Sequence, residues 1–244
     1  MSRPIVFLDL ETTGLDPEIH EIIEVAAIQV DAESLIELDV LHLRVKPERI
    51  GQANVHALVM NGFDMEVWED ALPLADALKQ LSPVLEGAIL AGHNVAFDRD
   101  FLDAAYASSG VPRPKMDHHT LDTASLAWSL YTDGVIKSLS LASVCEALGV
   151  DGGTPHRALH DVRRTLAVAR KLLGGAHIVN KIGAMQGDER RVISAIVDRV
   201  HRGQQTYGSW SVSDGRDYVS EALEEALDGM AYLAAGLVRL RGER

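Results

Sequence analysis

Within its first 45 residues the chain places three strand-like segments and no helical one, and this opening limits the fold more than any other feature. Residues 4–10 form a short apolar run that ends in Asp9-Leu10-Glu11 and passes into Thr12-Thr13-Gly14, the pattern of a buried strand entering a turn. Residues 22–30 and 35–45 read as two further strands. The polar Asp31-Ala32-Glu33-Ser34 joins them, so the three pair antiparallel. The pattern then changes. Residues 72–85 have helical periodicity, 88–92 a short strand and 97–107 a helix, and Leu121 closes another short strand. Helices over 124–130, 139–148 and 159–173 follow. An antiparallel start continued by strand–helix units implies an α/β fold, a mixed five-stranded sheet flanked by helices.

Gly174-Gly175 interrupts the last helical pattern and marks a boundary. Residues 1–174 are therefore expected to form one domain, 175–185 a linker, and 186–244 an additional C-terminal α-helical hairpin. Its helices cover 189–202 and 218–240 around a polar turn at 208–215.

A composition of 47% hydrophobic and 24% charged residues is that of a globular protein in water. No apolar run approaches the roughly 20 residues of a membrane span, and the N-terminus has no signal-peptide pattern, so a cytoplasmic protein without a membrane partner is expected. The single cysteine, Cys145, excludes an internal disulfide and reads as a small core residue. A net charge of −13 speaks against a nucleic-acid partner, since phosphate binding draws on Lys and Arg. The objection weakens if carboxylates bind cations, because bound cations reverse the field that a phosphate meets.

Three short segments carry the chemistry. Asp9 and Glu11 are two residues apart on a strand, so both carboxylates fall on one face, and two buried like charges are costly unless a cation joins them. Mg²⁺ and Mn²⁺ favour such oxygen ligands. Taken alone, Asp-x-Glu is more often a solvated strand end. The second segment, His93-Asn94-Val95-Ala96-Phe97-Asp98, stands where a strand hands over to a helix; there Asp98 could equally cap the helix, and Phe97 could simply anchor the core. The third, His156-Arg157-Ala158-Leu159-His160-Asp161, opens a helix whose Leu159, Val162, Leu166, Ala169 and Leu173 share a face. His156 lies at the entrance and Asp161 one turn inside, a fixed ligand beside a movable base. A neutral imidazole, with an unperturbed pKa of about 6.5, accepts a proton near neutral pH. The bland reading of His156 alone is a surface histidine at a helix start.

In order and separation, FLDLETTGLD, HNVAFD and HRALHD resemble the three motifs of the DEDDh branch of the DnaQ-like 3′ to 5′ exonucleases. Val55-His56-Ala57-Leu58 and Leu121-Asp122-Thr123 are similar to further segments of that family, and the resemblance covers residues 1–174. It implies a ribonuclease H-like fold. It also implies that Asp9, Glu11, Asp98 and Asp161 hold two divalent metal ions, Mg²⁺ or Mn²⁺, with His156 the general base. By the same analogy, backbone groups of Leu10, Thr12 and Thr13 meet the terminal nucleotide, Leu15 wedges against its base, and Asn94 and Phe97 line the substrate. The implied reaction is hydrolysis of single-stranded nucleic acid from 3′ ends, DNA favoured over RNA, to nucleoside 5′-monophosphates. A polymerase partner is compatible with it, as is free-standing repair or degradation. A non-catalytic nucleic-acid-binding module on the same fold is the competing reading.

His160 receives no chemistry, and His118 and His119 read as surface residues without a matching acidic partner. In the hairpin, Glu221, Glu225 and Asp228 share a helix face that weakly resembles MazG-like nucleotide pyrophosphatases, leaving open a second activity there. The favoured alternative is a solvated acidic face, with Met230, Leu233, Leu237 and Leu240 packed on the other helix or on a second copy in a homo-oligomer. Arg190, Arg191, Arg199 and Arg202 offer a third reading, a basic stripe that guides a nucleic-acid backbone.

Overall fold

The structure is a computed structural model that describes residues 3–151, 156–184, 187–207 and 217–242. Strands β1 (Ile5–Thr12), β2 (Ile22–Val30) and β3 (Glu37–Arg44) pair antiparallel, while β4 (Ile89–Gly92) and β5 (Thr120–Asp122) add in parallel on the far side of β1. The five-stranded order is β3-β2-β1-β4-β5. This is the mixed sheet expected from the order of segments.

Between β3 and β4 lie the short helix α1 (Val55–Met60) and α2 (Leu74–Leu85). Helix α3 (Val95–Ser109) joins β4 to β5, and α4 (Thr123–Leu126), α5 (Trp128–Thr132) and α6 (Leu141–Leu148) follow before α7 (Ala158–Ala184). Alternation along β1 divides the core. Val6, Leu8 and Leu10 face Leu78, Leu81, Phe101 and Leu102 of α2 and α3, whereas Phe7 packs with Ala26, Ile28, Ala158, Val162 and Leu166 on the α7 side. A third cluster seats Val144 and Cys145 of α6 against Val168 of α7, so Cys145 is the core residue expected.

One helix is added and two local readings change. Residues 55–60 form a helix that their brief apolar run does not announce; the Asn54 side chain caps it by accepting from the His56 and Ala57 N–H groups. The single helix expected over 124–130 is two short pieces, α4 and α5, that meet at the buried Ala127. Most plainly, α7 runs through Gly174-Gly175 and most of the expected 175–185 linker to Ala184. Each glycine costs a helix about 1 kcal/mol relative to alanine, too little to stop one with strong helix-forming turns on either side.

By compactness the chain divides at Val179/Asn180 rather than at 174, into Met1–Val179 and Asn180–Arg244. The second unit contains α8 (Asp188–Tyr207) and α9 (Tyr218–Gly242), and the expected turn at 208–215 lies outside the described residues. Val192, Ile196 and Val200 of α8 and Leu223, Leu227, Met230 and Leu233 of α9 are exposed. The side chains of Leu237 and Leu240 lie outside the described set. Among the described residues no helix is long and apolar enough to cross a membrane.

Candidate metal centre and nuclease site

The odd-numbered side chains of β1 continue the α7-facing row of Phe7, and this places Asp9 and Glu11 together beside the start of that helix. Asp98 in the first turn of α3 and Asp161 in the first turn of α7 come from two further elements, each at the helix end whose dipole favours a carboxylate. Asp98 is buried, and its Oδ1 accepts from the Leu10 N–H at 3.0 Å, which ties the second segment to the first. Glu11, His156 and Asp161 hold their ligand atoms within 4.8 Å of one another.

The electrostatics are those of carboxylates that need a cation. Burial, followed by repulsion from Asp98, Glu11, Asp161 and Glu24, holds the Asp9 carboxyl well above its ordinary range. Burial together with Asp161 and Glu24 pushes Glu11 up to about 8, with Arg157 opposing. Burial also raises Asp98 to about 8, against the hydrogen bonds from Leu10 and its own backbone. Four carboxylates from three elements, of which Asp9, Glu11 and Asp98 ionise reluctantly because burial and like charge outweigh the one guanidinium, Arg157, that acts on Glu11, offer the hard oxygen donors that divalent cations favour.

Around Asp161 the chain supplies two donors. The His156 N–H donates to Oδ2 at 2.8 Å and the buried Arg164 Nη1 to Oδ1 at 2.7 Å. His156 itself has a left-handed backbone, φ 58°, uncommon outside glycine and concentrated at functional positions. Arg157 secures it: its guanidinium donates to the Asn61 carbonyl and, at 3.3 Å, to the His156 carbonyl. Asn61 Nδ2 donates in turn to the Thr12 carbonyl at 2.9 Å. At Gly62, φ 55°, the Arg157 guanidinium occupies the space that a Cβ would take. This latch and Arg164 escaped sequence reasoning. The latch is invisible in the sequence because Asn61 is 96 residues from Arg157, whereas the spacing of three between Asp161 and Arg164 on one helix is a signal for that pair. Glu24 was missed too, although a lone carboxylate inside the apolar run IIEVAAIQV is a signal.

The expected nucleotide-contacting residues fare differently. Leu15 is 82% exposed, free to meet a ligand. The Leu10 side chain is in the core, with its N–H given to Asp98. Thr12 and Thr13 are buried, and their hydroxyls serve the turn: Thr12 Oγ1 donates to the Gly14 carbonyl at 2.6 Å, and Thr13 Oγ1 accepts from the Glu21 N–H at 2.9 Å. Those side chains are spent on structure because the strand must reverse there. Phe97 is half-buried against the core and Phe101, ring centroids 4.8 Å apart. Asn94 is exposed with φ 67°, and its N–H donates to Asp122 Oδ1, which also caps α4. His93 bridges Thr123 Oγ1 and the Leu139 carbonyl, and its burial lowers its pKa.

His160 is exposed. His118 and His119 are exposed as expected, but they do have an acidic partner: Asp117 Oδ1 is 3.5 and 2.8 Å from their Nδ1 atoms. Adjacent residues in a turn met where spacing alone showed only a polar loop. A depression lined by His20, Arg49, Pro73, Phe101 and Ser108 contains none of the four carboxylates. In the second unit Glu224, Glu225 and Asp228 are exposed; the Glu221 side chain lies outside the described residues.

Residues 6–169 match the family RNase_T, described as exonuclease. The chain is 32% identical over 193 residues to a PolC-type DNA polymerase III of Thermotoga maritima, covering 79% of this chain and 13% of the polymerase. It is 30% identical over 181 residues to ribonuclease T of Haemophilus influenzae, covering 66% of this chain and 75% of that enzyme. Among solved structures, E. coli Exonuclease I in complex with a dT13 oligonucleotide superposes with a TM-score of 0.63 at 17% identity, over 79% of this chain and 46% of that one. The chain thus spans about an eighth of the polymerases and about half of Exonuclease I.

Proposed function

Because this chain belongs to the DnaQ-like 3′ to 5′ exonuclease family, we propose that it hydrolyses single-stranded nucleic acid from the 3′ end, DNA in preference to RNA, and releases nucleoside 5′-monophosphates. The observation that carries this reading is the convergence of Asp9, Glu11, Asp98 and Asp161 with His156 at one end of the sheet. Asp9, Glu11, Asp98 and Asp161 would hold two divalent cations, Mg²⁺ or Mn²⁺. When bound, such ions supply Lewis-acid stabilisation for an in-line displacement at phosphorus.

The chain's own groups do the rest. His156, held beside Glu11 and Asp161 by the Arg157 latch, takes the proton of the attacking water through its imidazole. The Leu10 N–H fixes one oxygen of Asp98, and the His156 N–H and Arg164 fix both oxygens of Asp161, so these ligands keep their orientation without the substrate. Exposed Leu15, Val55 and Val59 offer apolar surface for an unpaired base; Asn54 and Asn61 bind α1 to the turn after β1. The preference for DNA is supported by the names of the PolC-type relatives and by the oligonucleotide of the matched Exonuclease I; ribonuclease T makes RNA the competitor. A polymerase partner is the corresponding proposal for assembly.

The test is digestion of 5′-labelled single-stranded DNA and RNA of equal length with Mn²⁺. A ladder shortening from the 3′ end, absent in Asp9→Asn, supports the reading, and the faster polymer identifies the substrate. Intact substrates under all metal conditions would overturn it.

A further inference from the structure

A fifth carboxylate, Glu24, stands next to the four proposed ligands. It is the registered cross-strand partner of Glu11 in the antiparallel β1–β2 pair, and directly opposed residues point to the same face with Cβ atoms about 4.5–5.5 Å apart. That face is the α7 side, where Asp9 and Glu11 also lie. The next rung crosses Asp9, Ala26 and, on β3, His42. With only a methyl group on Ala26, the His42 imidazole can lean along the sheet, and its Nε2 meets Glu24 Oε1 at 2.5 Å. Arg44, the registered neighbour of Glu24 on β3, directs its guanidinium over the Trp68 ring instead, 5.0 Å from the centroid.

One oxygen of Glu24 is therefore held and the other is not. Glu24 is 3% exposed, and its buried Oε2 has no hydrogen-bond partner. A carboxylate oxygen in that state, beside a carboxylate pair that it helps to keep from ionising, is a liability to the fold. A strut between β2 and β3 needs only Oε1, and a neutral glutamine would serve that purpose without the charge. The charge and the orphaned oxygen acquire a purpose when a hydrated cation enters beside Glu11, because outer-shell acceptors orient the ligands and waters of a metal site.

We propose that Glu24 is a positioning residue of the cation site: His42 fixes its rotamer through Oε1, and Oε2 accepts from the hydration shell of the divalent cation that Glu11 holds. The inference rests on the two-cation reading above and assigns the site an outer carboxylate and an imidazole that sets it. His42 reaches the site from the edge strand with its side chain 35% exposed, so the device is set from outside the carboxylate cluster.

Calorimetric titration of the metal-free full chain with MnCl₂, paired with thermal melting in EDTA, tests this on wild type, Asp9→Asn, Glu24→Gln and His42→Gln. Glu24→Gln retains the Oε1 acceptor for His42 and removes the charge. It is expected to weaken Mn²⁺ binding about tenfold while the metal-free melting temperature stays level or rises. His42→Gln, which releases the rotamer without altering the carboxylates, should weaken Mn²⁺ binding about threefold, less than the roughly 10- to 100-fold usual for outer-shell partners because His42 acts on the site only through Glu24. A Glu24→Gln protein that binds Mn²⁺ like wild type and melts lower is a strut mutant, and the proposal fails. Unchanged Mn²⁺ affinity in His42→Gln removes the role of His42 and overturns the proposal as stated, even if Glu24→Gln does not fold. Should Asp9→Asn also bind like wild type, the cation reading itself has failed, and the two failures are told apart.

Discussion

Two clusters of this molecule hold the same kinds of group and behave in opposite ways. Glu11, His156 and Asp161 form one, and Asp117, His118 and His119 the other, each with its donor atoms within 4.8 Å. In the first, burial and the neighbouring carboxylates push Glu11 up to about 8. In the second, hydrogen bonds from the His119 backbone and side chain, with Arg3 at 2.8 Å, hold Asp117 down to about 2. The difference lies in who faces the charge. Asp117 is satisfied by donors and a guanidinium in a turn open to water, so a cation adds little there. The carboxylates at the end of β1 face one another out of water, and a divalent cation removes their repulsion. Similar composition thus marks a hydrogen-bonded turn in one place and an ion site in the other, and the sign of the pKa displacement distinguishes them.

The contrast would break most visibly at Asp9. Asp9→Asn is expected to lower Mn²⁺-dependent mononucleotide release by more than about 10³-fold, the scale of lost electrostatic stabilisation at a reacting phosphate, with rates read from end-labelled DNA. Removing the base should cost less. His156→Ala should slow single-turnover hydrolysis by about 10²- to 10³-fold and leave calorimetric Mn²⁺ binding within about threefold, since the imidazole moves a proton and the carboxylates hold the ions.

A third test uses pH. Glu11 and Asp98 have folded values of about 8, against ordinary values of 4.5 and 3.8, so the metal-free fold binds protons that the unfolded chain has released. Their contribution is fully present below about pH 4 and is lost as pH rises through 8. Denaturation in EDTA should therefore show stability falling from pH 5 to pH 8 by on the order of a few kcal/mol. Saturating Mn²⁺ should flatten or reverse that slope, because the cation binds the deprotonated form. The smallest expected effect belongs to the other cluster. His118→Gln with His119→Gln should leave hydrolysis within about twofold and shift the melting temperature by less than about 2 °C, as exposed substitutions do.

Legibility in the sequence followed sequence distance. Asp9 with Glu11 is readable as a pair because strand periodicity places both on one face, and His156 with Asp161 because they stand just before and just inside the start of one helix. Asp98 entered through its strand-to-helix position and the family resemblance, and the structure ties it to Leu10 across 88 residues. The resemblance gives backbone groups of Leu10, Thr12 and Thr13 to the nucleotide; their side chains serve the fold, Leu10 in the core and the two threonine hydroxyls in the reversal after β1. Gly174-Gly175 reads as a stop, yet a local propensity cost could not end a helix supported on both sides.

The order of segments, the mixed sheet and the identity of the charged groups were determined by the sequence alone, because apolar periodicity and short motifs are local properties of a chain. Only the tertiary structure decided which of those charges lose water, which meet a donor and which are left facing one another. Those outcomes depend on strand register and on helices that arrive from far along the chain. Glu24 shows the reason compactly: in the sequence it is one acidic residue among apolar ones, and pairing with Glu11 across β1 and β2, with His42 on the next strand, makes it a neighbour of the proposed ion site.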